Sequence, residues 1–279
     1  MATSGWMEGN AGQVNYIGGR QVRVPRLTTT GLGDYDRAGG KYPKGAVNLD
    51  WQLLELTQDR GGEFYFDRND VDESGFHVTA QNTLSEFQRM HVVPEIDAYR
   101  YSTIAGLVPT TTDTIDRTNI YAKFLSQIRA MQNKTGMGTA GLVATMSWLT
   151  YGILEQSEEF SRTVSIQSFA QGDVSFEVKT INGVPIIPVQ EAVFKTAYEF
   201  KPGTTTDAMG FVPAPGAKNI NWLIMPRTAP IAISKTDVPK IFSPDVNQDG
   251  DGWKLQYRKY HDLWLKENQI PSIIASVAA

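Results

Sequence analysis

The sequence predicts an α+β protein, because segments with the two-residue period of strands and segments with the longer period of helices occupy separate stretches of the chain. Polar and apolar residues alternate over 21–25 and again over 47–53, on either side of a long polar connection. A helical pattern runs over 80–107, and strand-like alternation returns over 253–265. These observations predict a mixed fold whose most unusual element is one long hairpin.

The connection between the two hairpin strands, residues 31–45, is polar and rich in glycine. Hairpin loops usually have about 2–5 residues, and a much longer connection inside a compact domain is usually functional or disordered. This tip has too little apolar surface to form a core of its own. We therefore interpret the hairpin as an arm that reaches toward something outside its domain, on two strands that are each predicted to be half-buried.

The helical segment 80–107 would be about 42 Å long if it were continuous, at about 1.5 Å per residue. We expect Pro94 to kink or divide it, because the proline ring removes one backbone donor and clashes with the preceding turn. The other predicted helices are 115–132 and 148–160. Gly136 and Gly138 end the first, and Ser147 caps the second after a buried strand over 141–146.

The sharpest turn signal is Asn182-Gly183, because a type I′ hairpin turn needs two residues that tolerate positive φ. It joins the predicted strands 175–181 and 184–189. The alternation over 253–265 predicts a strand of about 43 Å with one buried face, at about 3.3 Å per residue. The remaining predictions are strands 63–66, 219–225 and 229–235, an acidic turn 67–73, a threonine-rich linker 109–112 and a loop 201–218.

Composition excludes several classes of function. The 279 residues carry a net charge of −4 that is spread along the chain, which argues against a nucleic-acid binder held by a basic face. There is no cysteine, so disulfides, thiolate metal sites and cysteine nucleophiles are excluded. No apolar run approaches the roughly 20 residues that span a bilayer, so no membrane segment is predicted.

Residues 245–251 imitate the start of an EF-hand calcium loop, with oxygen ligands at positions 1, 3 and 5 and glycine at position 6. The imitation fails at position 12, where Gln256 replaces the bidentate glutamate. An acidic turn is the favoured interpretation, and a calcium-dependent binding module stays open as an alternative. His77, His91 and His261 lack the spacing of a metal site.

The sequence also lacks the short patterns that mark catalysis. It contains no GxxxxGK[ST] phosphate loop and no GxSxG nucleophile elbow, and no GxGxxG joins a strand to a helix. No pair of carboxylates is marked for acid-base work. We predict a protein that is not an enzyme, with no catalytic residue, cofactor or metal.

Taken in order, these segments resemble the major capsid protein family of tailed bacteriophages (Caudoviricetes), which have the Hong Kong 97-like fold. The resemblance covers nearly the whole chain, and several consecutive blocks are more specific than any single motif. The blocks are 18–25 (GGRQVRVP), 31–37 (GLGDYDR), 56–61 (LTQDRG), 67–73 (DRNDVDE), 86–89 (EFQR), 92–100 (VVPEIDAYR), 182–187 (NGVPII), 241–249 (IFSPDVNQD) and 257–262 (YRKYHD).

The resemblance implies five regions. They are a residual N-terminal arm at 1–20, an E-loop hairpin with its flanking strands at 21–66, a spine helix and peripheral domain at 67–108, an axial domain at 109–235, and peripheral return strands with the C-terminus at 236–279. In most family members a longer arm precedes the GWME segment that stands here at 5–8.

The resemblance further implies a structural protein of the virion that self-assembles as pentamers and hexamers into an icosahedral shell around packaged double-stranded DNA. Assembly would take place in the host bacterial cytoplasm, with possible scaffold, portal and decoration proteins as partners. DNA would be enclosed without sequence-specific binding, and no membrane would be involved. An encapsulin-like compartment that houses an enzyme cargo is the alternative with the same fold.

The residues that we predict to contact neighbouring subunits lie on the hairpin and on the spine helix. One exposed ion pair contributes only about 0–1 kcal/mol, so burial of Tyr35, Trp51 and Leu53 would have to add strength. No asparagine is matched to Lys41 or Lys44 as a partner, and no isopeptide crosslink is predicted. The candidates are Asp34, Tyr35, Asp36, Arg37, Lys41, Lys44 and Trp51 on the hairpin and Asp59 and Arg60 at its base, facing Glu86, Arg89, Glu95 and Arg100 of a neighbouring spine helix.

Overall fold

A computed structural model describes residues 3–69, 80–136, 138–171, 174–204 and 208–279. Helices make up 30% and strands 42% of the chain, which confirms the α+β class. Residues 70–73 of the expected acidic turn and His77 lie outside the described residues.

The strands follow the predicted positions closely, and several are longer than predicted. They are β1 (Asn15–Gly18), β2 (Gln21–Thr29), β3 (Val47–Glu55), β4 (Gln58–Asp67), β5 (Thr110–Asp113), β6 (Leu142–Ser147), β7 (Val164–Gln171), β8 (Val174–Ile181), β9 (Val184–Val189), β10 (Tyr198–Phe200), β11 (Phe211–Pro213), β12 (Ile220–Pro226), β13 (Pro230–Phe242), β14 (Gly252–Leu265) and β15 (Ile274–Ala278).

The helical segment around Pro94 is divided, as expected. A π-helical stretch, Gln88–Val92, separates two α-helices and ends just before the proline. The wider π turns accommodate a residue that cannot donate a backbone hydrogen bond. The helices are α1 (Ala80–Phe87), α2 (Val93–Leu107), α3 (Ile120–Thr135), α4 (Trp148–Glu155) and α5 (Glu158–Thr163).

Two helix predictions need corrected ends. The helix predicted from residue 115 begins at Ile120, because the Asp116 carboxylate accepts hydrogen bonds from the amides of Thr118 and Asn119 and holds a turn there. It ends where Gly136 takes a positive φ of 62°, as predicted. Ser147 caps α4 by accepting a hydrogen bond from the Thr150 amide at 3.2 Å, but a turn at residues 156–157 separates α4 from α5.

The central sheet has seven strands in the order β5-β15-β12-β6-β9-β8-β7. The Asn182-Gly183 turn joins β8 to β9 with φ values of 50° and 79°, as predicted. The supposed linker 109–112 overlaps an edge strand, because β5 pairs in parallel with β15. Likewise, the predicted loop 201–218 contains β11, which pairs with β10.

The long strand β14 runs through the middle of a second sheet, in the order β13-β14-β4. Its partner β13 has an irregularity between Ser234 and Thr236. The prediction of a single buried face is wrong for the second half of β14. Leu263 and Leu265 pack into the main core, whereas Tyr260 and Trp264 pack into a separate cluster on the other side.

The segment predicted as a residual N-terminal arm contributes buried side chains to the core. The 3₁₀ segment Gly5–Gln13 places Trp6 and Met7 in the main hydrophobic cluster without exposed surface. The hydroxyl and amide of Ser4 both donate to Asp97 of α2. This stretch therefore anchors α2 instead of extending away from the domain.

Candidate intersubunit surface

The predicted hairpin is present, and we call β2, β3 and the connecting residues 30–46 the arm. Its strands pair without interruption from Gln21 with Glu55 to Thr29 with Val47. Only the root of the arm is packed: Val22 and Val24 are buried in a small cluster with Leu56. Every residue from 27 to 51 is exposed, so most of the arm lies outside the core of its own chain.

One face of the arm is apolar and uncovered. Alternate side chains of a strand lie on the same face, and the register places Leu27 beside Leu49 and Pro25 beside Trp51. The large apolar side chains on this side of the arm are 40–70% exposed, and we call them together the apolar face. The half-buried strand predicted for 47–53 is thus wrong within the single chain, because these side chains stay largely exposed in the part of the chain that the structure describes. The apolar face consists of Leu27, Val47, Leu49, Trp51 and Leu53.

The tip of the arm forms a small turn of its own. Asp36 and Lys41 form a backbone bridge with two hydrogen bonds of 3.2 and 3.3 Å. The Asp36 carboxylate also accepts from the amides of Ala38 and Gly39. The rings of Tyr35 and Tyr42 lie 4.9 Å apart. Local contacts therefore hold the tip, although it has no contact with a core.

The remaining charged candidates of the tip form no ion pair within the described residues. Asp34, Arg37 and Lys44 are exposed, and none of them forms an ion pair within the described part of the chain. Trp51, farther down the arm, has the Arg23 guanidinium 4.3 Å above its ring. The tip charges are thus free to meet a neighbouring molecule.

The two candidates at the base of the arm are paired within the chain. Asp59 accepts two hydrogen bonds from Arg258 of β14, at 2.8 and 2.6 Å. These hydrogen bonds lower the pKa of Asp59 and outweigh the slight burial, which raises it. Arg60 donates to Glu95 of α2 at 2.5 Å and to the carbonyl oxygens of residues 201 and 210. Arg60 and Glu95 are therefore brought together, but in the same subunit.

The spine-helix candidates also have partners in their own chain. Glu86 and Arg89 pair with each other at 2.6 Å on the exposed surface, and this hydrogen bond lowers the pKa of Glu86. Arg100 is fully buried and pairs with Glu8. Burial raises the pKa of Glu8, but the charge and hydrogen bond of Arg100 outweigh it and leave the pKa low. Contact of Glu86, Arg89 and Glu95 with a neighbour stays a prediction, whereas Arg100 has no surface to offer.

The turn that imitates a calcium loop is occupied by its own side chains. Asp249 accepts from the Lys254 ammonium at 2.5 Å. Asn247 donates to the Gly252 carbonyl and accepts from the Asp249 amide. Nowhere in the described ranges do three or more His, Asp or Glu side chains converge as metal ligands. The contacts within 245–251 are therefore those of a turn that its own side chains hold.

Solved structures share this architecture at very low sequence identity. The mature capsid of bacteriophage PhiM1 matches with a TM-score of 0.63 and 14% identity over 94% of this chain and 82% of that one. The capsid of cyanophage P-SCSP1u matches with 0.63 and 12% over 94% and 84%. The chain has the Hong Kong 97-like fold. The assignment of the arm as an E-loop and of α1 and α2 as a spine helix stays a prediction.

The structure of a virus-like particle from Pyrococcus furiosus is also similar to this chain. The TM-score is 0.53, with 10% identity over 98% of this chain and 96% of that one. No protein-family model and no curated protein sequence matches the chain. No helix in the described residues is long and apolar enough to cross a membrane.

Sequence reasoning missed part of the surface of the arm. The candidate set emphasised charges and omitted Leu27, Val47 and Leu49 of the apolar face. Their signal was visible as alternation over 47–53, but alternation does not tell whether the apolar face meets the same chain or another one. The intrachain partners Glu8 and Arg258 carried no local signal, because they lie far from Arg100 and Asp59 in sequence.

Proposed function

We propose that this chain is the major capsid protein of a tailed bacteriophage and that it assembles as pentamers and hexamers into an icosahedral shell around packaged double-stranded DNA. The observation that carries the proposal is the arm, whose apolar face of five large side chains is 40–70% exposed in its own chain. Exposed apolar patches of this kind mark interaction surfaces. A second copy of the chain is the partner that a shell supplies.

The contacts would combine the apolar face with the free charges of the tip. Asp34, Arg37 and Lys44 would meet charges on the neighbouring subunit, near its exposed Glu86 and Arg89. Single exposed ion pairs contribute about 0–1 kcal/mol, whereas removing apolar surface from water contributes about 25 cal/mol per Å². Burial of the apolar face would therefore supply most of the free energy of each contact, and the charges would set its register.

Negative-stain microscopy with light scattering tests the proposal. The full chain is expected to form shells, capsomer rings or tubes. A variant in which residues 31–45 are replaced by a short turn should fold and lose these assemblies, since residues 30 and 46 are already joined by a backbone hydrogen bond of 3.1 Å. A chain that stays monomeric under all conditions, or shells that form without the tip, would count against the proposal.

An encapsulin-like compartment is the second candidate, and the full-length likeness to the Pyrococcus furiosus particle favours it. The contents of isolated particles distinguish the two. Nuclease-protected double-stranded DNA, together with portal, scaffold or decoration proteins, supports the capsid and a location in the virion after assembly in the bacterial cytoplasm. A co-purifying enzyme inside DNA-free particles supports the compartment.

A further inference from the structure

The arm is joined to the second sheet by two residues only. Strand β3 ends at Glu55 and β4 begins at Gln58, so Leu56 and Thr57 alone separate a strand of the arm from a strand of the body. The two strands belong to different sheets. The backbone of this joint contributes to the direction in which the arm leaves the body. The burial of Val22 and Val24 in one cluster with Ile231 and Ile233 of β13 and the Arg26–Glu267 ion pair at 2.6 Å also contribute to it.

Hydrogen bonds hold the joint on both sides. The Leu56 amide donates to the Arg20 carbonyl at 2.9 Å, and the Leu56 carbonyl accepts from the Tyr260 hydroxyl at 3.2 Å. The Thr57 amide and hydroxyl both donate to Oδ2 of Asp262, at 2.7 and 3.0 Å. Asp262 thus binds the joint at the residue where the body begins.

The other oxygen of Asp262 connects the joint to the rest of the body. Oδ1 accepts from the Tyr99 hydroxyl of α2 at 2.6 Å and from the Leu263 amide of β14 at 2.7 Å. The Asp262 carboxylate is buried and accepts two donors at each oxygen. A carboxylate suits this arrangement because both of its oxygens accept hydrogen bonds. The amide of an asparagine would place its NH2 group, which is a donor, against one of the two pairs of donors.

We infer that Asp262 is a positioning residue that fixes the angle between the arm and the body. Without its charge, one pair of donors loses its acceptor, and the joint can adopt other backbone angles while the core stays packed. The consequence for assembly rests on the proposed shell function: neighbours can cover the apolar face in a regular way only if every subunit presents its arm at one angle.

Arm–body distances in the unassembled subunit test the inference. The chain has no cysteine, so Asn48→Cys on the exposed polar face of the arm and Ala130→Cys on the exposed side of α3 take a pair of nitroxide labels. Pulsed electron paramagnetic resonance then gives the distance distribution. We expect a narrow distribution without further change and a broadened or displaced one with Asp262→Asn, together with loss of slow hydrogen exchange at the Thr57 amide. Exchange in β12 should not change.

Asp237→Asn is the matched control, because Asp237 also accepts from a tyrosine hydroxyl and from a second donor, at 2.6 and 2.5 Å, in the same sheet but away from the joint. It should leave the distribution narrow. If Asp262→Asn does not fold, Thr57→Val and Tyr99→Phe each remove one donor and keep the core. A folded Asp262→Asn with the original distribution overturns the inference. So does equal broadening by Asp237→Asn, or an unchanged distribution in the folded Thr57→Val, Tyr99→Phe double variant.

The distance measurement does not depend on assembly. If the unaltered chain never forms particles while Asp262→Asn broadens the distribution, the shell function fails and the role of Asp262 stands. If the unaltered chain forms particles and Asp262→Asn does not change the distribution, the shell function stands and the role of Asp262 fails.

Discussion

The Arg60 guanidinium donates to Glu95 at 2.5 Å and thereby joins strand β4 to helix α2 of the same chain. Both residues are candidates for contacts between subunits, at the base of the arm and on the spine helix. Their side chains are 24% and 17% exposed, whereas those of the Arg89–Glu86 pair are 69% and 59% exposed. The first pair is therefore a structural contact inside the subunit, and the second lies on its surface.

Glu95→Gln is expected to destabilise the subunit by about 1–3 kcal/mol, because it leaves the Arg60 charge partly buried beside a neutral amide. Glu86→Gln is the matched control and should have no measurable effect, since its exposed partner can be solvated instead. Urea denaturation of both variants at neutral pH measures the difference. Equal effects of the two substitutions would show that the burial of the Arg60–Glu95 pair does not matter.

The sequence predicted elements whose signal is local. The Asn182-Gly183 turn, the Ser147 cap and the division of the helix near Pro94 each depend on residues a few positions apart, and the structure has all three. The tip of the arm was predictable for the same reason, because its length and glycine content are local properties.

Long-range partners were not predictable. Arg100 was predicted to contact a neighbouring subunit, but its side chain is buried and pairs with Glu8, 92 positions away. Asp262 carried no local signal for this contact, since its donors Thr57 and Tyr99 come from the joint between β3 and β4 and from helix α2, which are distant in sequence. Alternation in β3 correctly identified an apolar face but not its partner, because a single chain does not contain the surface that would cover it.

Leu49→Ser with Leu53→Ser is expected to leave the subunit as stable as before and to abolish assembly or raise the assembly concentration at least about tenfold. Both side chains are exposed in the chain, so only a neighbour would lose their burial, and about 1.4 kcal/mol corresponds to a factor of ten. Light scattering as a function of protein concentration measures the concentration at which assembly begins. Asn48→Ser with Asp50→Ser alters the opposite face of the same strand, and an equal loss of assembly from this pair would argue against the apolar face.

Gly183→Ala is expected to cost about 1–2 kcal/mol of folding stability. Its φ of 79° is unfavourable for alanine, and an added Cβ would lie 3.1 Å from the Thr139 hydroxyl oxygen. Gly152→Ala should have the opposite sign and add up to about 1 kcal/mol, because this glycine lies inside α4 with open space around a Cβ. Thermal denaturation of the two variants checks the signs. Stabilisation by both would contradict the turn geometry.

His261 is expected to make the subunit sensitive to acid. Burial, followed by the positive charges of Arg100 and Lys259, lowers the pKa of His261 from 6.5 to about 3. At a pH between about 3 and about 6.5, His261 is protonated in the unfolded chain and neutral in the folded chain. The free energy of unfolding should therefore fall as the pH drops below about 6.5, by up to about 1.4 kcal/mol per pH unit from this residue.

The folded chain also loses stability in acid when carboxylates with lowered pKa values, such as Asp237, become protonated. The contribution of His261 must therefore be isolated by substitution. His261→Phe keeps a ring against Tyr99, which lies 5.5 Å from the imidazole, but cannot bind a proton. Its free energy of unfolding should fall less between about pH 7 and about pH 4.5 than that of the unaltered chain. His91→Gln changes an exposed histidine and serves as the control substitution. If His261→Phe shows the same pH dependence as His91→Gln, the buried imidazole is not what makes the fold sensitive to acid.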